Sequence, residues 1–76
     1  MQQHEITAKR VAADISQAEV ARRIGVSRAY LNQLEGGKHT ASEKHLRAIG
    51  VVLAKAATIK SMAEAIWASP DENFLG

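Results

Sequence analysis

Apolar positions along this 76-residue chain recur every three or four residues, not every second one, and five segments carry that helical pattern. The first, from about Glu5 to Ala13, contributes Ile6, Val11 and Ala13, with Ile15 following, and is the least regular. Arg10 falls four residues after Ile6 on the same side, so it points partly inward and needs an acidic partner. The second segment opens on Ser16 and Glu19, whose S-x-x-E spacing is that of a capping box, and ends at Gly25, where a left-handed turn costs little. Val20, Ala21 and Ile24 form its inward stripe, while Arg22 and Arg23 face outward. The third starts after the hydroxyl cap Ser27 and reaches about Glu35, with Leu31 and Leu34 inward and Gly36 and Gly37 as its stop. Helical spacing gathers Arg28, Ala29, Asn32 and Gln33 on its opposite face, polar and short of apolar anchors.

Thr40 and Glu43 repeat the capping-box spacing and open a fourth, core segment, in which Leu46, Ile49, Leu53 and Ala56 recur. A fifth, about Thr58 to Ala68, carries Ile59, Met62, Ala63, Ile66 and Trp67, and Ser69 and Pro70 stop it. Fourteen alanines, one proline and no hairpin signal point to an all-α class: a compact five-helix bundle forming a single domain over residues 1–76.

A chain this short buries only a modest share of its surface, and without cysteine it has neither disulfides nor thiolate zinc ligands. Stability falls to helix packing, supplemented by a partner subunit. No apolar run reaches the length of a membrane span, and MQQHEITAKR lacks the hydrophobic segment of a secretory signal. The expectation is a cytoplasmic, nucleoid-associated protein with no membrane contact. Net charge is only +2, yet residues 1–60 hold ten basic against five acidic side chains and residues 61–76 hold three acids and no base. A basic body with an acidic end approaches a polyanion body-first.

ISQAEVARRIGVSRAYLNQLEGGK, two short helices about a tight turn, resembles the helix-turn-helix of the phage Cro and repressor family, the Xre type. TASEKHLRAIGVVLAK looks like that family's fourth helix, and the likeness covers roughly residues 5 to 55. Its specificity lies in features at fixed spacing: Gln17, Ala21, Gly25, the pair Leu31 and Leu34, and Leu-Glu-Gly-Gly-Lys from Leu34 to Lys38. The chain departs from the pattern at Ala41, where proline is frequent, at Gly50 inside the fourth helix, and after Ala54, where a glycine is common.

The resemblance implies that Gln17 bonds a phosphate and braces the third helix, and that Lys38 and nearby amides form a second phosphate clamp. It places Arg28, Ala29, Asn32 and Gln33 at base-reading positions, and Arg10 with Glu35 as a partly buried ion pair. Arg28 suits guanine O6 and N7, Gln33 or Asn32 suits adenine, and the Ala29 methyl suits thymine. Ser27, Tyr30 and His39 complete the expected phosphate contacts, although the Tyr30 ring can equally cover the gap between helices. His4, His39 and His45 match no metal spacing and read as surface histidines, and no serine stands in a nucleophile-elbow sequence. No catalytic residue, metal, cofactor or small-molecule ligand is therefore expected. Met62, Ile66, Trp67, Phe74 and Leu75 exceed what one small body covers, so part of that surface is expected to form a two-fold homodimer interface within residues 58–76. The reading is a dimeric (auto)repressor on a palindromic double-stranded operator, half-sites about 34 Å apart. A restriction-modification controller or an antitoxin-type module that binds a protein partner are the alternatives.

Overall fold

The computed structural model describes residues 1–68. They form a 3-10 turn (Gln3–Glu5) and four α-helices: α1 (Ile6–Ala12), α2 (Gln17–Ile24), α3 (Arg28–Glu35) and α4 (Glu43–Ala68). No strand occurs among the described residues.

Serine hydroxyls open α2, α3 and α4. Ser16 Oγ accepts from the Glu19 amide at 3.1 Å, Ser27 Oγ from the Tyr30 amide at 3.0 Å, and Ser42 Oγ from the His45 amide at 3.1 Å. The third of these corrects an expectation, because Ser42, not Thr40, caps α4. One residue earlier the backbone is committed elsewhere: the Ala41 amide donates to Gln3 Oε1 at 2.9 Å.

Both helices of the helix-turn-helix close in the same way. Val26 N donates to Ala21 O at 3.0 Å and Gly25 N to Arg22 O at 3.3 Å; Lys38 N donates to Gln33 O at 2.9 Å and Gly37 N to Leu34 O at 3.3 Å. Each pair is a Schellman closure, which needs a left-handed residue, and Gly25 (φ +78°) and Gly37 (φ +73°) supply it.

Ile6, Val20, Leu31, Leu34 and Ile49 are the largest fully buried side chains, each contributing roughly 2 kcal/mol by leaving water. Ala13, Ile15, Ala21, Ala41 and Leu53 complete the cluster. The small Ala21 keeps bulk low where α2 meets its neighbours. Val11, expected to contribute, is exposed instead.

The count of five helices is corrected to four among the described residues, because the expected fourth and fifth are one 26-residue helix. Ala54 to Thr58 contains only Lys and Thr besides alanine, with neither Gly nor Pro to break it. The Thr58 hydroxyl donates back to Ala54 O at 2.9 Å and is satisfied within the helix. The last hydrogen bond from α4 to the body among the described residues is made by Lys60, whose Nζ donates to Ala12 O at 2.8 Å and lies 3.1 Å from Asp14 Oδ2. Beyond it the helix projects. The radius of gyration is 15.2 Å, against about 11 Å for a compact chain of this length, and the long axis spans 52 Å. No helix among the described residues is long and apolar enough to cross a membrane.

Candidate nucleic-acid interface

Helix α3 buries Leu31 and Leu34 and turns Arg28, Ala29, Asn32 and Gln33 to solvent, so the side chains with hydrogen-bonding heads stand clear of the core. Its orientation is fixed at both ends. At the C-terminal end, Glu35 receives Arg10 Nε at 2.7 Å, Arg10 Nη2 at 3.1 Å and the Thr7 hydroxyl at 2.9 Å. The two side chains are only 15% and 6% exposed, and a fork of two parallel bonds is the strong form of such a pair. Arg10 Nη1 also donates to Ile15 O at 3.0 Å, so one guanidinium ties α1, the α1–α2 loop and α3 together. Burial alone would push the Glu35 carboxyl up, but the hydrogen bonds from Arg10 and Thr7, with the Gln17 amide nearby, outweigh it and hold Glu35 below the usual carboxylate value. Gln17 is half-buried at the start of α2.

At the N-terminal end, Tyr30 packs edge-on between His39 and His45, with ring centroids 5.6 and 5.4 Å away, and its hydroxyl lies 3.0 Å from His45 Nδ1. Tyr30 is half-buried and bridges α3 to α4; its hydroxyl is already engaged by His45. His45, expected at the surface, is half-buried in this contact, whereas His4 and His39 are exposed.

The loop from α3 to α4 is held by a side chain that no motif marked. Gln3 Nε2 donates to Leu34 O at 3.0 Å and to His39 O, and Gln3 Oε1 accepts from Ala41. One amide therefore sets the loop that carries Lys38 and His39, both exposed. Its partners are backbone groups more than 30 residues away, and nothing local in the sequence signals that.

Charge on this surface falls into two kinds. Arg22 and Arg23 both bond Glu19, whose pKa their guanidinium groups lower to about 2. Arg28, Lys38, Lys44 and Lys55 form no ion pair among the described residues; the first three place uncompensated positive charge on α3, the loop after it and the start of α4, and Lys55 lies further along α4. Ser27 is exposed at the N-terminus of α3, beside Arg28.

The helix-turn-helix family model HTH_3 matches residues 6–58. The chain belongs to the Xre-type helix-turn-helix family. Its general class is a DNA-binding regulator of transcription. Comparisons with curated proteins and with solved structures gave no match. The family match begins at the first residue of α1 and ends within α4, two residues before the Lys60 contact, so it covers the packed body and not the projecting helix end. No group of three or more potential metal ligands occurs among the described residues. Of the expected dimer residues, Met62, Ile66 and Trp67 are 63%, 59% and 84% exposed on that end, and Phe74 and Leu75 lie outside the described residues.

Proposed function

We propose that the chain is a dimeric, sequence-specific repressor that acts on its own promoter, inserting α3 into the major groove of a palindromic operator. The observation that carries this reading is the exposed set Arg28, Ala29, Asn32 and Gln33 on a helix locked at both ends. Arg28 donates two bonds to a guanine, Gln33 or Asn32 pairs with an adenine, and the Ala29 methyl meets a thymine. Gln17, Ser27, Tyr30, Lys38 and His39 contact phosphates and fix the register, Tyr30 through the hydroxyl that also meets His45. Bound at a promoter, the protein excludes polymerase.

The test is fluorescence anisotropy with DNA from immediately upstream of the gene, over a series of salt concentrations, beside Arg28→Ala and Gln33→Ala. The reading expects tight binding, a shuffled duplex bound at least about a thousandfold more weakly, and both substitutions costing about 1–3 kcal/mol. Lys38→Ala should weaken all duplexes alike and flatten the salt dependence. Weak binding that ignores sequence and substitutions removes the base-reading role. Copurification of a second small protein would then favour the antitoxin-type alternative, for which the exposed apolar end of α4 is the supporting observation.

A further inference from the structure

The loop over residues 36–42 joins α3 to α4, and the two helices close its ends: Lys38 N donates to Gln33 O at one, and His45 N to the Ser42 hydroxyl at the other. His39 to Ala41 belong to neither closure. Among the described residues their hydrogen bonds run to one side chain, that of Gln3, whose Nε2 donates to His39 O and whose Oε1 accepts from the Ala41 amide at 2.9 Å. The same Nε2 donates to Leu34 O at 3.0 Å, so one amide group also ties the loop to the last turn of α3.

Gln3 is itself held in place. The Gln2 amide donates to Glu5 Oε1 at 2.7 Å and the Glu5 amide to Gln2 O at 3.0 Å, which closes the 3-10 turn on both sides of Gln3. Ile6, fully buried, anchors that turn to the core. The family match begins at residue 6, so the turn lies outside it.

We infer that Gln3 is a positioning residue for DNA binding: it holds the segment that carries Lys38 and His39 in its bound shape before DNA arrives. The inference rests on the reading above that Lys38 and His39 contact phosphates, and it adds how that clamp is kept ready. Both side chains are exposed, so their aim depends on the backbone that bears them. A carboxamide suits the task because it offers donors and an acceptor in one plane, and so meets a carbonyl and an N–H of the same stretch of backbone. A loop ordered in advance spares the complex the cost of ordering it on binding. That gain is the same on every duplex, because phosphates carry no sequence information, whereas α3 is oriented separately by the Arg10–Glu35 fork.

The test is a double-mutant cycle, read by fluorescence anisotropy of the full chain with DNA from immediately upstream of its gene. Gln3→Met keeps an unbranched stem and removes all three bonds. It should weaken binding to that DNA and to a shuffled duplex alike, by about tenfold, and leave their ratio unchanged. In a background of Lys38→Ala with His39→Ala the same substitution should cost almost nothing, whereas beside Arg28→Ala it should cost its full factor. An equal loss in both backgrounds assigns Gln3 a merely structural role and overturns the inference. A changed ratio between the two duplexes also overturns it, since Gln3 would then act on α3. If Lys38→Ala with His39→Ala leaves binding unaltered, the phosphate reading of the loop falls and takes the inference with it, while base reading by Arg28 is judged on its own substitution. Amide exchange of the unaltered chain decides the matter even if Gln3→Met does not fold. The Ala41 amide should be protected without DNA and change little when DNA is added. An Ala41 amide that exchanges freely until DNA binds would show that DNA, not Gln3, orders the loop, and overturns the inference.

Discussion

Helix α4 has two halves of similar helical propensity and opposite fates. In the first, Ile49 and Leu53 are 0% and 4% exposed against α1 and α2, and in the second, Ile59 and Trp67 are 63% and 84% exposed. Apolar spacing marks both halves alike as faces that gain from being covered. It does not say whether the cover is the chain's own core or another molecule. The body resolves this through long-range polar ties, the Arg10–Glu35 fork and the Gln3 clamp; in the second half Lys60 alone makes such a tie among the described residues, and beyond it there is none.

The contrast breaks most sharply by truncation. Leu31→Ala should cost about 3–4 kcal/mol, read as a lower urea midpoint with loss of helical circular dichroism, because Leu34 is the only other fully buried side chain of α3. Ile66→Ala, measured at a concentration where the chain is monomeric, should fall within about 0.5 kcal/mol of the parent. Equal losses in the two variants would mean that the projecting half is part of the folding unit after all.

The next largest effect belongs to the buried fork. Arg10→Met leaves the Glu35 carboxylate without its main partner and should cost about 3 kcal/mol at neutral pH. The sign with pH follows from the lowered Glu35 pKa: the folded state holds the ionised form, so its contribution is complete above the unfolded carboxylate value of about 4.3. It is lost as pH falls through the folded value. Stability of the parent and of Glu35→Gln should therefore converge as the pH is lowered from 6 to below about 4, followed by urea unfolding at each pH. Curves that stay parallel would show that the fork does not govern the acid limb.

These two ties separate what the sequence made legible from what it did not. Ser16, Gly25, Ser27 and the buried leucines act within one or two turns, and the Arg10 position could be read from its offset to Ile6 alone. Gln3 and His45 could not: each is bonded to a group 15 or more residues away, and neither breaks a periodicity. Thr40 lost the cap to Ser42 through one such distant bond. The division of α4 into two helices had no physical signal behind it, since the alanine-rich run from Ala54 to Thr58 favours continuation. Of the interface, which α3 residues face outward was legible; how Gln3 sets the loop bearing Lys38 and His39 was not.

A smaller effect sharpens the comparison inside α4. Gly50 sits in the half held by the core, yet a Cβ built there meets nothing within 4 Å, so no close approach requires glycine. Gly50→Ala should raise stability by about 1 kcal/mol in urea unfolding and leave the salt dependence of DNA binding unchanged. A loss of stability instead would show that Gly50 serves packing with Met1, which lies on the same surface groove.

The smallest effect tests the junction between the halves. Lys60 reaches across to the last carbonyl of α1 and to Asp14, a residue held at φ 55°, and the Asp14 hydrogen bond raises its pKa. The bond satisfies a carbonyl at a helix C-terminus, where a cation is favourable, but it is solvent-accessible and screened by salt. Lys60→Met keeps the stem and removes the charge. Global unfolding should be unaltered, whereas amide exchange should accelerate in α4 beyond residue 58 and at Asp14, and nowhere in α3. Acceleration confined to those segments makes Lys60 the latch that stiffens the root of the projecting helix. Acceleration spreading into Leu31 and Leu34 would instead place the projecting half and the core in one cooperative unit, and the two regions would no longer be separable.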